Sequence, residues 1–360
     1  VRLAAADFVA LAQRDAAIDD IDVAGVDLTG ANLRGVVMNR VDLRRCRLVG
    51  VDLRDAVLND CGLDSASLHD SDMRGITFVK GRFAGADFGS ARLDNAVISD
   101  CQFGDASFTA ASLADAVIHG CAFVGCAFRL ATLRCTAFAT CAFTNPDFSN
   151  TELDRTVLVN TDLRSARFDD TSFRCTQLIG ANLQGLRFAD ASMRLTQFIS
   201  ADLTQCDFSG ADVTQANFQG ATMTGAKLSR AIANMAIFAG ANLSGADFSG
   251  ARLRNTIFVD ARMPAARFDQ ADLYQAVFEG ADANGAHFVG AELTYADFTH
   301  ARLTDCNLDQ ATMFRAKLHG AETTGAQFTD RGRALEDDPD LLEAERWRPV
   351  PVQFVPTQEE

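Results

Sequence analysis

The sequence predicts an all-β solenoid, a chain wound into stacked four-sided coils of twenty residues with a short helix at each end. Three observations predict it: a strict five-residue phase of large apolar residues, surface chemistry that recurs every twenty residues, and 27 Phe against 2 Tyr and 1 Trp. Regular repetition of this kind overrides the two or three ordinary domains that 360 residues would otherwise suggest.

Large apolar residues occupy every position ending in 3 or 8 from Val23 to Phe328, 62 consecutive sites without insertion or deletion. Only Ala233, Ala283 and Thr323 depart from Leu, Phe, Met, Ile or Val. A small residue, mostly Ala, Cys, Thr or Val, sits two places before each site, so inward residues alternate spacings of two and three. A spacing of two is extended backbone, because side chains two apart on a strand face the same way. A spacing of three with both ends inward requires a corner. Helical amphipathicity would need apolar residues at i, i+3, i+4 and i+7, which the pattern never sustains. The preference for Phe fits a dry, narrow bore, since a buried Tyr or Trp needs a hydrogen-bond partner.

The number of sides follows from the outward residues. In the column Val37, Val57, Thr77, Val97, Val117, Ala137, Val157, continuing to Ile237, Ile257 and Val277, nine of fifteen members up to Lys317 are Val, Ile or Ala. The other three columns of this type hold only Ala122, Ala127, Ala142 and Ile232. A second column collects Arg34, Arg54, Arg74, Arg134, Arg174, Arg194 and Arg254 at multiples of twenty. Four sides therefore make a turn. Residues 21–330 give about fifteen coils and, at ~4.8 Å per coil, a rod roughly 75 Å long.

The units "ADLTQ", "CDFSG", "ANLSG" and "ADFSG" resemble the pentapeptide-repeat proteins, whose motif A(D/N)LXX builds a right-handed quadrilateral parallel β-helix. The resemblance spans residues 21–330. It implies fold more than function, because such rods serve unrelated roles.

Departures from the pattern mark expected weak points: Pro146 at a small-residue site, Leu186 oversized at another, and Ala283 undersized at a large one. Glycines two places after the core residue, such as Gly210 and Gly220, suit the bends because they tolerate positive φ. Open ends need caps. Residues 3–17 read as an amphipathic helix presenting Phe8 and Leu11 to the first coil, within an N-terminal cap over 1–20. Asp338 and Pro339 read as N-cap and first position of a short helix within 331–360, followed by an extended "PVPVQFVP" tail.

Chemistry is sparse. Eight of ten cysteines (Cys46, Cys61, Cys101, Cys121, Cys126, Cys141, Cys206, Cys306) take the small inward site and read as core. Cys135 and Cys175 face outward, two coils apart. His300 and His319 are expected on adjoining coils, but no spacing gives a zinc site. Outward Asp202, Asp207, Asp212, Asp247 and Asp272 read as partners of nearby backbone. There is no nucleophile elbow or phosphate loop, and an uninterrupted rod offers no cleft. No enzymatic activity, cofactor or metal is expected.

The net charge of −15 argues against direct nucleic-acid binding. No apolar run is long enough for a membrane span, and a soluble cytoplasmic protein is expected. The chain begins at Val1, which leaves room for an upstream domain.

The surface feature with functional content is the apolar column. Val37, Val57, Val97, Val117, Val157, Ile237, Ile257 and Val277, joined two residues further along the side by Ile179 and Ile199, form a candidate protein interface, most simply with a second copy of the chain. β-branched residues also suit extended backbone, so a purely structural reading stands beside it. The arginine column is a candidate basic ladder, although interleaved Asp55, Asp94 and Asp154 point to local pairing.

These features suggest a non-enzymatic scaffold or adaptor. The N-terminal segment leading into "VAGVDLTGANLRG" is similar to pentapeptide-repeat proteins associated with type VI secretion. Two alternatives follow from the same resemblance: a DNA mimic acting on gyrase, as in quinolone protection, and an exported effector. Against mimicry, the charge is only −1 over residues 101–200 and no loop interrupts the coil.

Overall fold

Parallel pairing at a spacing of twenty residues runs the length of the chain. Val37 pairs with Val57, Val57 with Thr77, Thr77 with Val97, Val97 with Val117, Val117 with Ala137 and Ala137 with Val157. The same column continues through Gln177, Gln197, Asn217, Ile237, Ile257, Val277, Asp297 and Lys317. The computed structural model describes residues 1–14 and 17–346. Over them the chain is a right-handed quadrilateral β-solenoid of about 16 turns. That is one more than the repeat phase predicts, because both ends add stacking. Arg2 pairs with Asp22 and Ile18 with Met38 at the start, and Lys317 pairs with Leu335 at the finish.

Each side is one short extended segment whose hydrogen bonds point along the rod. Leu33 N–H donates to Asp52 O at 2.8 Å, and Asp52 N–H donates to Ala31 O at 3.0 Å. Each corner is a β-turn: Ala216 N–H donates to Val213 O at 3.0 Å, and the third residue, Gln215, takes φ +58°. Glycine fills this site at Gly210 (φ +70°), but many corners hold other residues, such as Asp55 (φ +60°) and Leu195 (φ +61°). Asp and Asn recur there because they visit the left-handed region most readily after glycine.

The bore is filled by the large residues of the five-residue phase, nearly all fully buried. Like rings stack coil on coil. Phe88 and Phe108 lie 4.8 Å apart with planes 3° apart, and Phe108 and Phe128 lie 5.0 Å and 4° apart. The ladder loosens at Leu186. Phe168 is only half-buried, and among the described residues Arg167 and Arg187 form no parallel bridge.

All ten cysteines are free, and the eight inward ones are buried. They do more than stand in for Ala. Cys46, Cys126, Cys206 and Cys306 each direct Sγ at the carbonyl 23 residues back, at 2.9 to 3.0 Å. Thr136, Thr156, Thr176 and Thr196 do the same with a hydroxyl at 2.6 to 2.9 Å. These contacts tie a coil to the one below it.

A helix, α1 (Ala5–Arg14), buries Phe8 against the first coil, with Leu11 partly buried beside it. A second, α2 (Pro339–Arg346), begins as the Asp-Pro pair predicts: Asp338 Oδ1 accepts the N–H of Asp340 at 3.0 Å and of Leu341 at 3.2 Å. The "PVPVQFVP" tail lies outside the described residues. No helix of the described residues is long and apolar enough to cross a membrane.

Candidate protein-binding flank

The alternation of inward and outward residues fixes what one side presents. In the segments Val37–Asn39, Val57–Asn59 and Thr77–Val79 the middle residue is buried and its neighbours are half-buried. Val97 and Val117 protrude most, at 47% and 51% exposed. The column is in register throughout, so Val37, Val57, Val97, Val117 and Val157 lie on one face, with Ile237, Ile257 and Val277 further along it. Between these two groups Gln177, Gln197 and Asn217 interrupt the column. There Ile179 and Ile199 continue the apolar surface two residues along, stacked through Gly180 N–H to Ile199 O at 2.8 Å. From Val37 to Val277 the column contains no charged residue. It ends at an ion pair, Lys317 Nζ to Asp297 Oδ2 at 2.7 Å.

The arginine ladder borders this face and is also in register: Gly35 N–H reaches Arg54 O and Asp55 N–H reaches Arg74 O, at 2.8 and 3.0 Å. Its charge is largely committed. Arg34 pairs with Asp55 at 3.1 Å, Arg54 with Asp52 at 2.7 Å, Arg74 with Asp72 at 2.6 Å, Arg174 with Asp154 at 3.2 Å, Arg194 with Asp212 at 3.3 Å and Arg254 with Asp272 at 2.6 Å. For Arg134 no ion pair forms among the described residues. Hydrogen bonds from Arg54 and Arg74 hold the carboxyls of Asp52 and Asp72 below the usual carboxylate range. Such exposed pairs each contribute little to stability, and they leave few free guanidinium groups for an anionic ligand. The Asp residues also accept backbone N–H two residues on, as Asp202, Asp207, Asp212 and Asp247 do at 2.9 to 3.0 Å.

Two features lie outside the expectations from sequence. The arginine column continues as an aromatic corner: Arg254 lies over the Tyr274 ring, Tyr274 meets Tyr295 edge-on at 5.8 Å, and Tyr295 meets Phe314 at 5.8 Å. Phe314 falls out of the five-residue phase, and both tyrosines of the chain are here. That coincidence was the available signal. The second is Glu345 of α2, which reaches both His300 and His319. No repeat phase reports on it, because it lies beyond the repeats.

The family model described as Pentapeptide repeats matches in eight copies, over residues including 24–60, 42–79, 136–174, 171–210, 196–232, 236–273 and 271–310. The chain belongs to the pentapeptide repeat family. Among solved structures it is similar to HetL, a pentapeptide repeat protein involved in heterocyst differentiation regulation from the cyanobacterium Nostoc. The identity is 21%, over 82% of this chain and 87% of that one, with a TM-score of 0.16. Full-length QnrB1, a plasmid-mediated fluoroquinolone resistance protein, is 16% identical over 74% of this chain and 99% of its own, with a TM-score of 0.20. The A-module of the mannuronan C-5 epimerase AlgE4 from Azotobacter vinelandii is 12% identical over 93% and 94%, with a TM-score of 0.26. A comparison with curated proteins finds no match.

Proposed function

We propose that the protein is a non-enzymatic, rigid scaffold whose apolar flank docks another protein, and that the first occupant of that flank is a second copy of the chain. The observation that supports this is the uncharged, in-register column from Val37 to Val277, on a chain with 33 basic and 48 acidic residues. An uncharged face on so charged a rod matches another such face better than it matches solvent. Its extent is adequate. About thirteen coils at ~4.8 Å, roughly 10 Å wide, give on the order of 600 Å² per subunit, near the lower bound for a specific interface.

Sedimentation of the wild type and of the Val97→Lys/Val117→Lys/Val157→Lys variant tests the reading. The wild type is expected to dimerise at micromolar concentration and the variant to sediment as a monomer. A wild type that stays monomeric at high concentration overturns the homodimer. Association with type VI secretion components rests on the N-terminal resemblance alone and is checked by pull-down from the native host. A gyrase supercoiling assay separates the DNA-mimic alternative: protection of gyrase, or its inhibition, would favour that alternative. The paired arginine ladder and the nearly neutral middle of the rod weigh against it.

A further inference from the structure

The repeat phase places His300 and His319 on successive coils, where His300 N–H donates to His319 O at 2.8 Å and the two rings lie 5.5 Å apart. Two imidazoles alone make a weak site. The structure brings a third donor from a different element: α2 carries Glu345 across these coils, with Oε1 3.2 Å from His300 Nε2 and Oε2 3.4 Å from His319 Nε2. One donor atom from each of the three groups lies within 4.8 Å of the others. We propose that His300, His319 and Glu345 form a binding site for a zinc-class divalent transition metal, which clasps α2 to the last coils of the solenoid.

The separations suit the ion. Two ligands on a tetrahedral zinc with bonds of ~2.1 Å stand about 3.4 Å apart, close to both histidine–carboxylate distances. Two imidazoles and one carboxylate, with water in the fourth position, are a zinc donor set. Nickel and copper also favour imidazole, whereas magnesium and calcium prefer all-oxygen sites. The position is half-sheltered, because His319 is buried while His300 and Glu345 open to solvent. Gly320 stacks directly over His300, and an added Cβ there would fall 2.3 Å from His300 Nδ1, so the glycine leaves space for the ring.

The ring protons follow. His319 Nδ1 accepts the N–H of Asp338 at 3.1 Å, which puts the proton of the neutral ring on Nε2, facing Glu345. Coordination through Nε2 moves that proton to Nδ1, which now faces the Asp338 N–H, so the ring must turn toward Asp337 Oδ1, 3.8 Å away, for the new N–H to find an acceptor. With that turn the site would gain the carboxylate–histidine–metal arrangement that orients metal-bound imidazoles. The swap gives up one backbone contact of Asp338 and replaces the neutral Nε2–H···Glu345 hydrogen bond with two bonds to the ion. The gain falls on an element that needs it, since an eight-residue helix is marginal by itself and none of the α2 side chains from Pro339 to Glu345 is fully buried. Metal affinity then appears as stability of the docked helix.

Titration calorimetry of the chelator-treated full chain with zinc chloride, in a Cys135→Ser/Cys175→Ser background that removes the two outward thiols, is the test. One zinc per chain is expected, together with slowed amide exchange over 340–346. His300→Ala and Glu345→Gln are each expected to weaken binding at least tenfold and to abolish that slowing. Gly320→Ala removes no ligand and is expected to weaken binding by displacing the His300 ring. Wild-type affinity in both ligand variants, no zinc uptake, or uptake without protection of α2 overturns the proposal.

Discussion

The ring of Phe188 lies 5.9 Å from that of Phe168, one coil below, and is tilted by 38°, whereas Phe218 and Phe238 stack at 4.7 Å with planes 1° apart. The cause lies two residues before Phe188. Leu186 takes a site that Ala or Cys fills on most coils, between Ala166 below and Cys206 above, and the extra volume props the coils apart. Neither a hydrogen bond from Phe168 N–H to Arg187 O nor the Arg167–Arg187 bridge forms among the described residues. Overpacking of this kind costs about 1–3 kcal/mol. Leu186→Ala is therefore expected to stabilise the protein by about 1 kcal/mol. Phe238→Ala, in the tightly stacked region, is expected to cost about 3–5 kcal/mol. Urea unfolding of the two variants checks both, and a Leu186→Ala protein less stable than wild type rejects the wedge.

The left-handed corners give opposite outcomes at equivalent positions. Leu195 holds φ +61° with its side chain 41% exposed, so it incurs the left-handed backbone cost without the burial that would offset it. Leu195→Asn is expected to stabilise the protein by roughly 0.5–1 kcal/mol. Gly180 holds φ +64°, and an added Cβ would stand 2.2 Å from Asn160 Oδ1. Gly180→Val is expected to destabilise by about 1–3 kcal/mol. Thermal melts of the pair decide the matter: shifts of opposite sign support corner strain, and a common sign refutes it.

Legibility in the sequence tracks periodicity. Val37 and Val57 could be placed on one face, and Phe108 over Phe128, because every coil repeats the same pattern of burial. Local pairing of the arginine column could be expected from the acids beside it, but stacking at twenty residues accounts only for Arg174 with Asp154; Arg54 and Arg74 instead take the Asp two residues back on their own coil. The second role of Cys206 and Thr176, a bond to the carbonyl 23 residues back, escaped because it depends on where a side chain points inside the bore. Glu345 escaped for the opposite reason. It belongs to no column, and only the path of α2 over the last coils brings it to His300. The last coil itself shortens, Lys317 pairing with Leu335 at a spacing of eighteen, a break in phase without a marker residue.

The titrating groups predict a stability plateau with two different limits. On the acid side, hydrogen bonds from Arg44, Arg54, Arg74 and Arg164 hold Asp42, Asp52, Asp72 and Asp162 below the ordinary carboxylate range. A depressed folded-state pKa stabilises above the unfolded value of about 3.9 and is lost as pH falls through the folded one. Each of these pairs is partly solvated, so the acid limb is shallow and begins only below about pH 4. On the alkaline side, burial pushes Cys61 up to about 11 and Cys126, Cys206 and Cys306 up to about 12. A raised thiol pKa stabilises fully below the unfolded value of about 8.5 and is lost as pH rises through the folded one. Four such groups remove stability on the order of 10 kcal/mol between pH 9 and 11. The melting temperature is expected to stay level from pH 5 to 8 and fall steeply above 9. A Cys126→Ala/Cys206→Ala/Cys306→Ala variant is expected to start lower at pH 7, having lost three sulfur-to-carbonyl contacts, yet to decline less between pH 9 and 11. If its alkaline slope equals that of the wild type, ionisation of the bore thiols is not what opens the coil.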